Sequence, residues 1–148
     1  MMRALVLVLA LAACAPTGEA PKQESGDQQV LPAPTPEDVT LRVTAEQNGQ
    51  TIEVAVNQRF AVELVGVPTP GYVWQPAQVP AFITRAGEAG GNTIAEQSQP
   101  GYAGGNHWEV LMFTATAAGT GELVIEQRRP WESTEPATQT FRVNIVAR

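Results

Sequence analysis

Apolar and polar side chains alternate in short runs along the chain from about Asp38 onward. Val39, Leu41 and Val43 alternate with Thr40, Arg42 and Thr44. The same period of two recurs at Ile52, Val54 and Val56, at Phe60, Val62 and Leu64, at Leu123 and Ile125, and at Phe141, Val143 and Ile145. Successive side chains of a strand point to opposite faces, so this period predicts strands with one face buried. Gly49, Pro68, Gly71, Pro80, Gly90, Gly91, Gly104, Gly105, Gly119, Gly121 and Pro130 punctuate the runs and read as turns. No window of roughly 11 residues carries a helical repeat. Seven or eight short strands in about 110 residues predict an all-β, immunoglobulin-like β-sandwich. Trp74 or Trp108 is expected to fill its centre, and Trp74 is assigned there.

The first 37 residues follow a different pattern. Met1, Met2 and Arg3 make a short basic start, and Ala4 to Ala13 is an unbroken apolar run of ten residues. A membrane-spanning helix needs roughly 20 such residues, whereas the core of a secretion signal is shorter. The run ends in Leu11, Ala12, Ala13 and Cys14, which resembles the lipobox of bacterial lipoproteins. That resemblance implies a signal peptide over 1–13, lipid on Cys14, and anchoring in the bacterial cell envelope. The outer membrane is preferred where there is one, because Ala15 stands where an inner-membrane retention signal is often Asp. Cys14 is the only cysteine, so no disulfide forms within the chain. Residues 14–37 are rich in Pro, Gln, Glu and Ala and read as a disordered tether, leaving one domain over 38–148.

Charge and chemistry narrow the function further. The formal charge is −6, and removal of Arg3 leaves 8 basic against 15 acidic side chains. Nucleic-acid binding requires clustered Lys and Arg, and the only adjacent pair is Arg128 and Arg129. There is one histidine, His107, and one Asp in the domain, Asp38. A Cys–His pair is excluded and a His-based metal site is not expected. Glu109, Glu122, Glu126 and Glu132 read as solvated strand and turn positions rather than glycosidase carboxylates. The chain is therefore read as a monomeric binding protein, not an enzyme, with no metal and no cofactor.

Three loops stand out. The first, Val67 to Trp74, holds Pro68, Thr69, Pro70, Gly71 and Tyr72; its prolines fix φ and its glycine permits a turn that other residues resist. Tyr72 reads equally well as a core or a contact residue. The second runs Gly101, Tyr102, Ala103, Gly104, Gly105, Asn106, where glycines let backbone approach a partner. The third, Arg129, Pro130, Trp131 and Glu132, puts two residue types enriched at binding hot spots on a proline-stiffened turn.

In this order, on a β-domain of this size, the three loops resemble the chagasin family of cysteine-peptidase inhibitors. The third loop matches the family's Arg-Pro-Trp-Glu in full. The second matches its Gly-x-x-Gly-Gly turn at Gly101, Gly104 and Gly105. The first matches Asn-Pro-Thr-Thr-Gly-Tyr-x-Trp at Pro68, Thr69, Gly71, Tyr72 and Trp74, with Val67 in place of Asn and Pro70 in place of the second Thr. The resemblance spans roughly 38–148. It implies a reversible, tight-binding inhibitor whose loops plug the cleft of a papain-like cysteine peptidase. Pro68 to Tyr72 would sit over the catalytic groups, Gly101 to Asn106 on one side, and Arg129, Pro130 and Trp131 on the other.

Three other readings compete. A non-inhibitory envelope-binding module would not need the loops to converge at one end. A cystatin needs a long amphipathic helix and a Gln-x-Val-x-Gly motif, and neither is present. A purely structural lipoprotein has no use for the aromatic third loop.

Overall fold

The period-two runs become strands in the computed structural model, which describes residues 28–132 and 134–148. The expected signal peptide, Cys14 and residues 14–27 of the tether lie outside the described residues. In chain order the strands are β1 (Leu41–Thr44), β2 (Thr51–Val54), β3 (Arg59–Gly66), β4 (Val73–Gln78), β5 (Ile83–Asn92), β6 (His107–Ala115), β7 (Gly119–Arg128) and β8 (Gln139–Ala147). They form two four-stranded sheets, ordered β1-β3-β6-β5 and β2-β8-β7-β4. Two pairs, β1 with β3 and β2 with β8, are parallel; the others are antiparallel. Short 3-10 turns occur at Ala45–Gln47 and Ala95–Ser98. The expected immunoglobulin-like sandwich is what the chain forms.

The core lies between the sheets and takes its residues from the alternating positions. Phe60, Val62 and Leu64 of β3 meet Leu111 and Phe113 of β6, with Leu123, Ile125, Phe141, Val143 and Ile145 from the second sheet. The Phe60 and Phe113 rings stack with centroids 5.6 Å apart. Trp74 is buried in this core as expected, and its indole N–H donates to the Val65 carbonyl at 2.9 Å. Trp108 points elsewhere. It is half-buried on the outer face of the first sheet, beside a second cluster of Ala33, Val39, Ala61, Val110 and Met112.

That second cluster corrects the boundary at 38. The described part of the expected tether, from Gln29, lies against the first sheet. The Leu31 N–H donates to Thr93 O at 2.8 Å, and the Ala95 N–H donates to Gln29 O at 3.0 Å. Ala33 and Thr35 are buried, and the Thr35 hydroxyl donates to the buried Glu63 carboxylate. Proline prevents helix and internal strand but not an extended chain lying along a sheet, so composition alone misjudged this segment. The strap also explains β3, which is buried on both faces at Phe60 to Leu64.

The expected turn at Gly90 and Gly91 is also corrected. Both lie inside edge strand β5, paired with Glu109 and Trp108. A Cβ on Gly91 would stand 3.2 Å from Pro34 of the strap, and one on Gly90 would stand 3.3 Å from the Trp108 carbonyl. Close approach, not a bend, accounts for the glycines. Gly119 and Gly121 likewise open β7, beneath Phe82 and Pro80.

Candidate functional site

Strand register brings the three loops to one end. Gly66, the last residue of β3, and Asn92, the last of β5, both pair with His107 at the start of β6. The β3–β4 and β5–β6 connections therefore leave the same edge of the first sheet. Val73 at the start of β4 pairs with Arg128 at the end of β7, so the β7–β8 connection emerges beside the first loop.

The first loop is a tight hairpin. Val67 bridges Tyr72, and the Gly71 N–H donates to Pro68 O at 2.8 Å. Thr69 and Pro70 form the exposed tip. Gly71 has φ +86°, a left-handed conformation that costs other residues about 1–2 kcal/mol. It also lies under the third loop: a Cβ there would come 2.2 Å from the Trp131 ring.

The third loop turns at Pro130, where the Glu132 N–H donates to Arg129 O at 3.0 Å. Proline's fixed φ suits the second position of such a turn. Arg129 then ties this loop to the first. Its Nε donates to Pro70 O at 2.7 Å, and its guanidinium lies 4.6 Å from the Tyr72 ring centroid. Its other end donates to Glu132 at 2.9 Å, and that bond pushes the guanidinium above its ordinary value. Tyr72 is thus a half-buried support with Arg129 on its ring. Trp131 remains 68% exposed despite resting on Gly71. At the base of the loop, the Thr138 N–H and hydroxyl both donate to Gln127 O, at 2.9 and 3.0 Å.

The second loop is built from backbone. Gly101, Gly104 and Gly105 all have positive φ, and Gly101 to Asn106 are all exposed. A Cβ on Gly104 would sit 3.7 Å from the Thr69 hydroxyl, so this loop stands against the tip of the first. Its anchor is Gln97, which the sequence did not single out. The Gln97 amide donates to Asn106 O at 2.7 Å and accepts from the N–H groups of Thr93 and Ile94 at 2.7 and 3.1 Å. A polar residue in an aperiodic stretch carries no signal of such a role.

Glu109 is a second residue whose role only the fold reveals. One carboxylate oxygen accepts the Trp74 N–H at 2.8 Å, and the other has no partner among the described residues. It stands so close to Gly66 that a Cβ there would overlap it at 1.8 Å. Gly66 and Trp74 flank the first loop, so Glu109 joins both stems to β6. Burial pushes its carboxyl above the usual range; the Trp74 bond and His107 oppose this, and Glu88 adds to it. His107, Glu109, Arg85 and Glu88 line one side of a groove of about 770 Å³ between β4 and β5. Among the described residues, no group of three His, Cys, Asp or Glu side chains could hold a metal ion.

Residues 53–145 match the family model described as chagasin family peptidase inhibitor I42. The chain belongs to the chagasin family of peptidase inhibitors. It is 30% identical over 109 residues to amoebiasin-1 of Entamoeba histolytica, covering 71% of this chain and 99% of that relative. Its fold is similar to the solution structure of amebosin, at 26% identity and a TM-score of 0.58, covering 73% of this chain and 97% of that one. It is also similar to the crystal structure of the cysteine protease inhibitor EhICP2 from Entamoeba histolytica, at 18% identity and a TM-score of 0.62. That match covers 77% of this chain and all of the other.

Proposed function

We propose that this chagasin-family protein reversibly inhibits papain-like cysteine peptidases by inserting its three loops into the active-site cleft as a wedge. The observation that carries the reading is the convergence and mutual bracing of the loops at one end of the sandwich. Arg129 fastens the third loop to Pro70, Trp131 rests on Gly71, and Gly104 faces Thr69. Loops held this way lose little conformational entropy on binding, so more of the contact energy appears as affinity. An envelope-binding module that used an exposed sheet face would need none of this bracing.

The reading implies a division of labour. Pro68, Thr69, Pro70, Gly71 and Tyr72 would occupy the centre of the cleft. Gly101, Gly104, Gly105 and Asn106 would line one wall, and Arg129, Pro130, Trp131 and Glu132 the other. Pro70 has no N–H to offer the cleft, and its ring restricts Thr69, which makes the tip a poor substrate. Its carbonyl is already held by Arg129, so the residue that replaces the family's second Thr still fixes the tip. On this reading the protein performs no chemistry of its own.

Titration of active papain with residues 28–148 tests the proposal. Stoichiometric, reversible loss of activity is expected. No inhibition of several papain-like peptidases at micromolar concentration would sink it. We also propose that Cys14 carries lipid and holds the protein at the cell envelope, supported by the apolar run ending in Leu11-Ala12-Ala13-Cys14. Cys14→Ser should release the protein from membranes; continued sedimentation with them would refute lipid attachment.

A further inference from the structure

We infer that the peptidase-binding edge has a fourth segment, Gln29–Leu31, whose Val30 side chain packs on the body of the bound peptidase beside the glycine loop. This rests on the inhibitory reading above and extends it outside the matched family region, which begins at Glu53.

The segment is fixed in place. Val30 bridges Ile94 in antiparallel register, flanked by the bonds from Leu31 N–H to Thr93 O and from Ala95 N–H to Gln29 O. The Trp108 indole N–H donates to Leu31 O at 2.9 Å. Thr93 and Gln97, on the stretch that receives the strap, both donate to the carbonyl of Asn106, the last residue of the glycine loop. The strap is therefore linked to that loop through Thr93, whose carbonyl takes the Leu31 N–H and whose hydroxyl donates to Asn106 O.

Val30 is 73% exposed on this fixed backbone. The exposed large apolar side chains of the described residues include Val30, Val67, Tyr102 and Trp131, one from each segment at this end; Val65 and Val79 complete the set. A β-branched side chain on a pinned backbone has little rotamer freedom to lose, which favours it as a contact. The partner chemistry that fits is an apolar protein surface flanking the cleft that the glycine loop lines.

The test compares residues 28–148 with the Val30→Asp and Val30→Ile variants against papain, with Trp131→Ala run alongside. Val30→Asp should raise the inhibition constant about tenfold at an unchanged melting temperature, and Val30→Ile should leave it unchanged. In the complex, hydrogen exchange at the Val30 amide should slow. An unaltered constant for Val30→Asp and unaltered exchange, with Trp131→Ala still weakening inhibition, overturns the fourth segment and leaves the inhibitory reading standing. Failure of the parent chain to inhibit overturns both.

Discussion

Trp131 combines exposure with fixed placement. Its ring is supported from below by Gly71 and its backbone by the turn at Pro130. Truncation to Ala should leave the fold intact and cost about 2 kcal/mol of affinity, as a central aromatic anchor does. An inhibition constant for papain that does not move would place the third loop outside the interface. Gly71 presents the converse case. Gly71→Ala must adopt φ +86° and displace the Trp131 ring, so both stability and inhibition should fall. Thermal melting should register about 1 kcal/mol or more of destabilisation, and an unchanged melt would mean that the turn relaxes freely. At this scale the motif residues were legible, but their roles were not. Tyr72 read equally as core or contact, and the structure makes it a half-buried platform for Arg129.

At the scale of elements, β6 is the hub of the site. Its first residue pairs with the ends of both β3 and β5, and its Glu109 holds the first residues of β4. The raised pKa of Glu109, caused chiefly by burial, has a definite consequence. The folded state binds this proton more tightly than the unfolded chain. Stability linked to Glu109 is therefore full below the ordinary carboxyl value of 4.5 and declines as pH rises toward the folded value. His107, Glu88 and Arg85 share the groove; Glu88 reinforces the shift, and the Trp74 hydrogen bond and His107 oppose it. Glu109→Gln should flatten this part of the profile. Urea unfolding midpoints between about pH 4 and 7 test this; a parallel profile for the variant would exclude Glu109 as the source. The outline of the strands at β1, β2, β3, β7 and β8 was visible in the sequence because they alternate. Edge strand β5, Ile83–Asn92, was not, because Gly87, Gly90 and Gly91 imitate turn punctuation.

For the whole molecule, the strap changes what counts as the domain. Removing residues 28–37 uncovers Ala61, Val110 and Met112, and leaves the buried Glu63 without its Thr35 partner. A chain beginning at Asp38 should be less stable than one beginning at Gln28 by about 2 kcal/mol or more, from lost apolar burial and the lost Thr35 hydrogen bond to the buried Glu63 carboxylate, which keeps only Arg42 at 3.7 Å. Equal urea midpoints for the two chains would mean that the strap is not part of the folded unit. The strap also sets direction. Its start, at Gln29, lies beside Ala95 and hence beside the glycine loop. The 15 residues from Cys14 to Gln28 span at most about 50 Å when fully extended. If Cys14 carries the proposed lipid, a peptidase bound at the loop end would be held near the membrane.

Local order in the sequence determined the sandwich, the buried face of most strands, and the stiff backbone of the three loops. Each of these follows from a short-range cause: a period of two, a proline ring or a glycine without a Cβ. Trp74 was likewise assigned to the core from the sequence, on its size and apolar surface. What only the tertiary structure decided depends on residues far apart in the chain. Arg129 reaches Pro70 across 59 positions, Glu109 reaches Trp74 across 35, and Trp108 reaches Leu31 across 77. No periodicity encodes such partners, because they meet only after strand register has brought the ends of β3, β5 and β7 to the same end of the sandwich.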